Sequence, residues 1–144
     1  VLAYNRSKIT DASVDRQVSL EELLSSADIV SLHCPLTAET KGMIGKEQLA
    51  LMKKTAFLIN TARGGVVDQD ALAAALSDGQ IAGAALDVFD KEPPLPEDHP
   101  LLHAPNTIVT PHIGFASVES LEQRADIVFE NLYSWLEGRQ LNAV

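Results

Sequence analysis

The chain has a single cysteine, Cys34, among 144 residues, so no internal disulfide can staple it, and a reducing cytoplasmic setting is expected. Basic residues are scarce: eleven Lys and Arg stand against twenty Asp and Glu, a net charge of -9. That balance repels a phosphate backbone and an anionic lipid surface alike, which argues against nucleic acid and membranes as partners. No apolar run approaches the length of a transmembrane helix, and the opening Val1-Leu2-Ala3-Tyr4-Asn5-Arg6 lacks the layout of a signal peptide. There is no internal repeat and no low-complexity stretch. What remains is 46% apolar residues, enough for one sizeable core and too little chain for two ordinary domains. The chain starts without methionine on what reads as a strand, as if cut from something larger.

Short apolar runs alternate with amphipathic stretches, the pattern of an α/β fold with a parallel sheet and crossover helices. The expected strands are Val1 to Tyr4, Asp28 to Leu32, Ala56 to Asn60, Ile81 to Val88 and Thr107 to Thr110. Being apolar throughout, they read as strands covered on both faces. Ser19 with Glu22 three residues on reads as a capping box, and Leu20, Leu23 and Leu24 supply that helix with an apolar face. A second helix is expected over Lys46 to Met52 and a third from the N-cap Asp68 through Leu76, stopped at Asp78-Gly79. The longest should run from Ser117 to Glu137, with Leu121, Ala125, Val128, Leu132 and Trp135 as its stripe and Gly138 as its stop. Four of the seven prolines fall within Lys91 to Pro100, so that segment is expected to be a stiff loop without regular structure.

In open parallel sheets ligands bind beyond the carboxyl ends of the strands. Four loops therefore matter: His33-Cys34-Pro35-Leu36-Thr37, Thr61-Ala62-Arg63-Gly64-Gly65, the stretch from Asp87 to Glu92, and Pro111-His112-Ile113-Gly114. If the strands are parallel, all four share one edge, and Arg63, Asp87, Glu92, His33 and His112 meet there. A guanidinium holds a carboxylate through two parallel hydrogen bonds. An imidazole exchanges protons near neutrality, and a carboxylate on its other nitrogen orients the ring and favours its protonated form. Taken singly, each residue also has a structural explanation. Arg63 could be a surface arginine in a glycine turn, Glu92 ordinary loop chemistry, and Cys34 a small buried apolar group. His99 and His103 read as solvated or packed.

Together the segments are specific. His33-x-Pro35-Leu36-Thr37, Asn60-Thr61-Ala62-Arg63-Gly64-Gly65, Ala85-Leu86-Asp87-Val88-Phe89-x-x-Glu92-Pro93 and Pro111-His112-Ile113-Gly114, in this order, resemble the D-isomer-specific 2-hydroxyacid dehydrogenases. The resemblance implies a Rossmann-type doubly wound parallel sheet and reversible reduction of 2-oxo acids with NAD or NADP. It implies that Arg63 binds the substrate, that His112 is the proton donor or acceptor, and that Glu92 tunes His112. The cofactor set it implies is Asn5, Arg6, His33, Cys34, Pro35, Thr61, Ala62, Arg63, Asp87, His112 and Gly114, with Asp87 facing the nicotinamide. A homodimer is implied as well. A dinucleotide-sensing corepressor of the same superfamily is the alternative reading, since such proteins keep the same residues.

Two features depart from the family pattern. The G-x-G-x-x-G fingerprint is absent from the eight glycines, as if the sheet were truncated by its first strand, glycine-rich turn and first helix. The missing strand is expected between Val1 to Tyr4 and Ala56 to Asn60, leaving two raw edges. The second departure is Asn5, standing where NAD-selective members carry an acid and followed by Arg6, Ser7 and Lys8, which favours NADP over NAD.

Overall fold

The computed structural model describes residues 1–92 and 94–143. It forms two compact units, Val1–His112 and Ile113–Val144. In the first unit, β1 (Leu2–Ala3) and β2 (Arg16–Gln17) form a short parallel ribbon. The main sheet consists of β3 (Ile29–Leu32), β4 (Phe57–Asn60), β5 (Gly83–Leu86) and β6 (Thr107–Val109), in that order and all parallel. Four helices connect these strands: α1 (Leu20–Ser26), α2 (Lys46–Leu51), α3 (Gln69–Ser77) and α4 (Pro100–His103).

The local signals in the sequence explain most of these elements. Ser19 accepts a hydrogen bond from Glu22 N, and Asp68 accepts one from Ala71 N, so each side chain satisfies an otherwise open N–H of the first turn. Gly79 takes φ +62° directly after α3, the left-handed conformation that ends a helix without a Cβ clash. The Ser19 box is only half formed, however. The Glu22 carboxylate turns outward to Arg16 at 2.7 Å, a charged partner that the backbone N–H of the cap does not match.

The order of the main sheet corrects the expected position of the gap. β3 pairs residue for residue with β4, from Ile29 opposite Phe57 to Leu32 opposite Asn60, so no strand can lie against β4 on that side. Successive parallel strands joined through a single right-handed crossover helix dock side by side, and α2 makes that crossover. The open edges of the main sheet are those of β3 and β6.

The expectation of strands covered on both faces is also corrected. Register places Val30, Leu58 and Ala84 in one row, and Leu32, Asn60 and Leu86 in the next row of the same face; all six are buried. The opposite face carries Ile29, Phe57 and Ile108, which are 62%, 48% and 69% exposed. The neighbours α1, α2, α3 and α4 contact one another in sequence as a single layer, and Leu24, Leu49, Leu72, Leu76 and Leu101 fill the space beneath it. An apolar strand composition therefore does not by itself report a second layer within this unit.

Three elements have no counterpart among the expected ones. β2 has only two residues, and a 3-10 turn at Gly64–Val66 follows Arg63. α4 begins at Pro100, inside the stretch expected to lack regular structure; proline at the first helical position loses no hydrogen bond, and the His99 ring accepts from Leu101 N. His99 is thereby packed, its ring edge-on to Phe89 at 5.6 Å. The second unit is built on α5 (Val118–Leu136), capped by Ser117 and ended before Gly138 at φ +77°.

Candidate active site

Because the strands of the main sheet are parallel, the segments after β3, β4, β5 and β6 all leave from one edge. After β4 the chain must turn at once. Asn60, only 1% exposed, directs the turn: its Oδ1 accepts from Ala62 N at 3.1 Å and its Nδ2 donates to Arg63 O at 3.0 Å. A buried amide with both ends engaged costs little and fixes the backbone that carries Arg63. The Arg63 side chain is exposed, with Nη1 donating to Ala62 O at 2.6 Å.

Gly64 lies where this turn meets the segment after β5. A Cβ there would penetrate the Phe89 carbonyl group and come within 2.5 Å of Asp90 N, so only glycine permits the approach. The Asp87 carboxylate, 5% exposed, accepts from the Thr110 hydroxyl at the end of β6. Further along, Glu92 Oε2 lies 2.7 Å from His112 Nδ1, both side chains half-exposed. His112 takes φ +55°, a left-handed conformation uncommon for a residue with a side chain and frequent at functional positions. The carboxylate thereby fixes Nδ1 and with it the orientation of the His112 ring.

The expected set divides between two cavities. One, of about 210 Å³, is lined by Asp87, Glu92 and His112 together with Phe89, Leu95 and Leu102. The other, of about 390 Å³, is lined by His33, Cys34, Pro35, Thr61, Ala62 and Arg63. Arg63 and His112 thus stand on the same edge without lining one cavity. Asn5 and Arg6 lie beyond β1, and Gly114 belongs to the second unit. His33 is engaged with Ser31 Oγ through Nε2 at 2.8 Å.

The chemistry of these residues suits a dinucleotide. Arg6 and Lys8 are exposed, and among the described residues neither cation has an acceptor. The half-buried Cys34 with Pro35 and Ala62 offers apolar wall, and Asp87 with Thr110 offers a polar end. Among the described residues no group of three His, Cys, Asp or Glu could hold a metal ion. None of their helices is long and apolar enough to cross a membrane. Sequence reasoning passed over Asn60 and Gly64 as parts of the site. The available signal was an amide at the end of an apolar strand, followed four residues later by a glycine.

Known proteins resemble this chain over most of its length. A glyoxylate reductase of Korarchaeum cryptofilum is 54% identical over 121 residues, 84% of this chain and 36% of that protein. An acyclic imino acid reductase solved with NADPH and D-Arg superposes with a TM-score of 0.90 at 33% identity, covering 100% of this chain and 45% of that one. A D-lactate dehydrogenase with NAD+ from Lactobacillus jensenii superposes with a TM-score of 0.86 at 36% identity, covering 99% of this chain and 47% of its own. The chain spans less than half the length of the curated relatives it matches. The family profile described as D-isomer specific 2-hydroxyacid dehydrogenase, NAD binding domain, matches residues 1–114, and the chain belongs to that family.

Proposed function

We propose that this chain supplies the cofactor-binding and proton-transfer side of an NAD(P)-dependent oxidoreductase that reversibly reduces small 2-oxo acids to D-2-hydroxy acids. The observation that carries the reading is the 2.7 Å contact between His112 Nδ1 and Glu92 Oε2 at the edge that also bears Arg63. When bound, the nicotinamide would supply a hydride for C2 of the substrate. Arg63 pairs with the substrate carboxylate and opposes the charge that grows on the carbonyl oxygen during reduction. His112 delivers a proton to that oxygen from Nε2, while Glu92 holds the ring in the required tautomer and orientation. Asp87, kept in place by Thr110, would face the nicotinamide at the polar end of the site.

The cofactor favoured is NADP. Asn5 presents no charge to a ribose 2′-phosphate, and the exposed Arg6 and Lys8 attract one. The working assembly is proposed to be a cytoplasmic homodimer, which light scattering on the full-length protein would reveal by its mass.

Turnover tests the whole reading. The full-length enzyme is expected to oxidise NADPH in the presence of glyoxylate or hydroxypyruvate, more efficiently than NADH. Removing the proton donor with His112→Gln should lower kcat by roughly 10²–10⁴-fold. Absence of turnover with every 2-oxo acid tried, or full activity in His112→Gln, would overturn it.

A further inference from the structure

Beyond β1 the chain runs through Asn5, Arg6, Ser7, Lys8 and Ile9 without regular secondary structure, yet three of its backbone polar groups converge on one side chain. Gln17, on β2 opposite Ala3, donates from Nε2 to Asn5 O at 3.0 Å and to Ser7 O at 2.9 Å. Its Oε1 accepts from Ile9 N at 2.9 Å. Both amide hydrogens and the carbonyl are thus committed to a segment eight to twelve residues away. Asn5 Nδ2 donates to Ser7 Oγ at 3.2 Å and closes the loop from within. The pairing of β1 with β2 does not depend on this amide, since backbone bonds from Asp15 N to Val1 O and from Val18 N to Ala3 O, each 2.9 Å, hold the ribbon.

We propose that Gln17 is a positioning residue for the cofactor. It holds the Asn5–Ile9 loop so that Asn5, Arg6, Ser7 and Lys8 are presented together to the adenosine ribose and its 2′ substituent. Gln17 itself touches no part of the dinucleotide. The proposal rests on the reading of this chain as dinucleotide-binding, with Asn5 and Arg6 in the cofactor set.

The physical basis is preorganisation. Two exposed cations on a free loop must be ordered when an anion binds, and that ordering opposes affinity. A loop already fixed through three backbone groups avoids most of it. Arg6 and Lys8 have no acceptors of their own among the described residues, so nothing but the backbone and Asn5 fixes where they start.

The experiment compares wild-type full-length enzyme with Gln17→Leu, which removes the amide and keeps similar bulk. Calorimetric titration with NADPH, NADH and 2′,5′-ADP gives the affinities, and steady-state kinetics gives KM and kcat. Gln17→Leu is expected to weaken the preferred dinucleotide about tenfold, a change of ~1.4 kcal/mol. KM for that cofactor should rise in parallel, with kcat at saturation within about twofold. Amide hydrogen exchange at Ile9 should quicken. In an Arg6→Ala background the further effect of Gln17→Leu should shrink, because the two act through one loop. Affinities within about twofold of wild type in a Gln17→Leu enzyme whose Ile9 exchanges faster would overturn the proposal. A wild-type enzyme that binds neither dinucleotide overturns the underlying assignment as well, whereas one that prefers NADH overturns only the choice of NADP. Gln17 is then judged on the NADH affinity.

Discussion

Residues at this edge act through how they are held, and Asn60 shows it most directly. Its amide bonds Ala62 N and Arg63 O while being only 1% exposed. Asn60→Leu would leave Ala62 N without its partner and Arg63 O with only its bond from Val66 N, at the base of the Arg63 turn. The expected cost is ~1–3 kcal/mol of stability, read as a lower urea midpoint. KM for the 2-oxo acid should rise more than kcat falls, because the guanidinium loses its fixed origin. A smaller device holds the loop after Pro35, where the Thr37 hydroxyl donates to Glu39 at 2.7 Å and Thr40 Oγ1 donates to Pro35 O at 2.6 Å. The Thr37 bond, aided by the Glu39 backbone N–H, holds the Glu39 carboxyl below its ordinary value. A lowered folded-state pKa means that the stabilising contribution is present above the unfolded value and lost as pH falls through the folded one. An NMR titration should find the Glu39 midpoint below that of a free glutamate, and Thr37→Val should move it back up. The chemical types of Arg63, Glu92 and His112 were legible in the sequence because each stands in a motif. Gln17 was not, because a glutamine on a two-residue strand has no pattern, and its meaning lies in three bonds across the fold.

At the scale of elements, the helices were legible where a side chain caps them, as Ser19, Asp68 and Ser117 do. The strands of the main sheet were legible as apolar runs, although β5 is shorter than Ile81 to Val88. What escaped was structure created by contact between loops. The 3-10 turn at Gly64–Val66 and the Phe89–Asp90 segment approach so closely that neither stretch specifies the arrangement alone. Gly64→Ala tests that contact. The added methyl would meet backbone that cannot swing aside as a side chain would, so a loss of ~1–3 kcal/mol is expected, seen as a lower Tm. Because the displaced segment leads on to Glu92, kcat should fall too, and it should fall further than in an alanine variant at Gly65. A Cβ at Gly65 meets only the flexible Leu36 side chain, at 3.1 Å, and Asp90 Oδ1 at 3.4 Å. Equal kinetics in the two variants would mean that the Gly64 contact does not couple the Arg63 turn to Glu92.

For the whole molecule, the apolar strand pattern suggests strands buried twice, whereas the four helices of the first unit lie on one face of the sheet only. Ile29, Phe57 and Ile108 remain in water, and in the second unit Val128 and Trp135 are 63% and 67% exposed. Apolar surface of this extent on a chain of net charge -9 sets two opposing tendencies: association through the bare faces, and repulsion that limits it. Repulsion between exposed charges is screened within about 10 Å at 0.1 M salt, while burial of apolar surface is not. The 144-residue chain alone should therefore bind a hydrophobic dye such as ANS and show a mass that grows with added salt. Ile29→Thr with Ile108→Thr should reduce both effects without lowering Tm, since neither side chain belongs to the core. The same chain should bind NADPH poorly. Its eight glycines contain no G-x-G-x-x-G turn to receive a pyrophosphate, so only the adenosine end and the edge cavities remain to hold the dinucleotide. Titration of the 144-residue chain should give an affinity weaker than micromolar, with 2′,5′-ADP competing for whatever binding is seen. A micromolar dissociation constant would show that the remaining residues hold the cofactor without the glycine turn, and the Asn5–Ile9 loop would then carry more of the binding than the adenosine contact proposed for it requires.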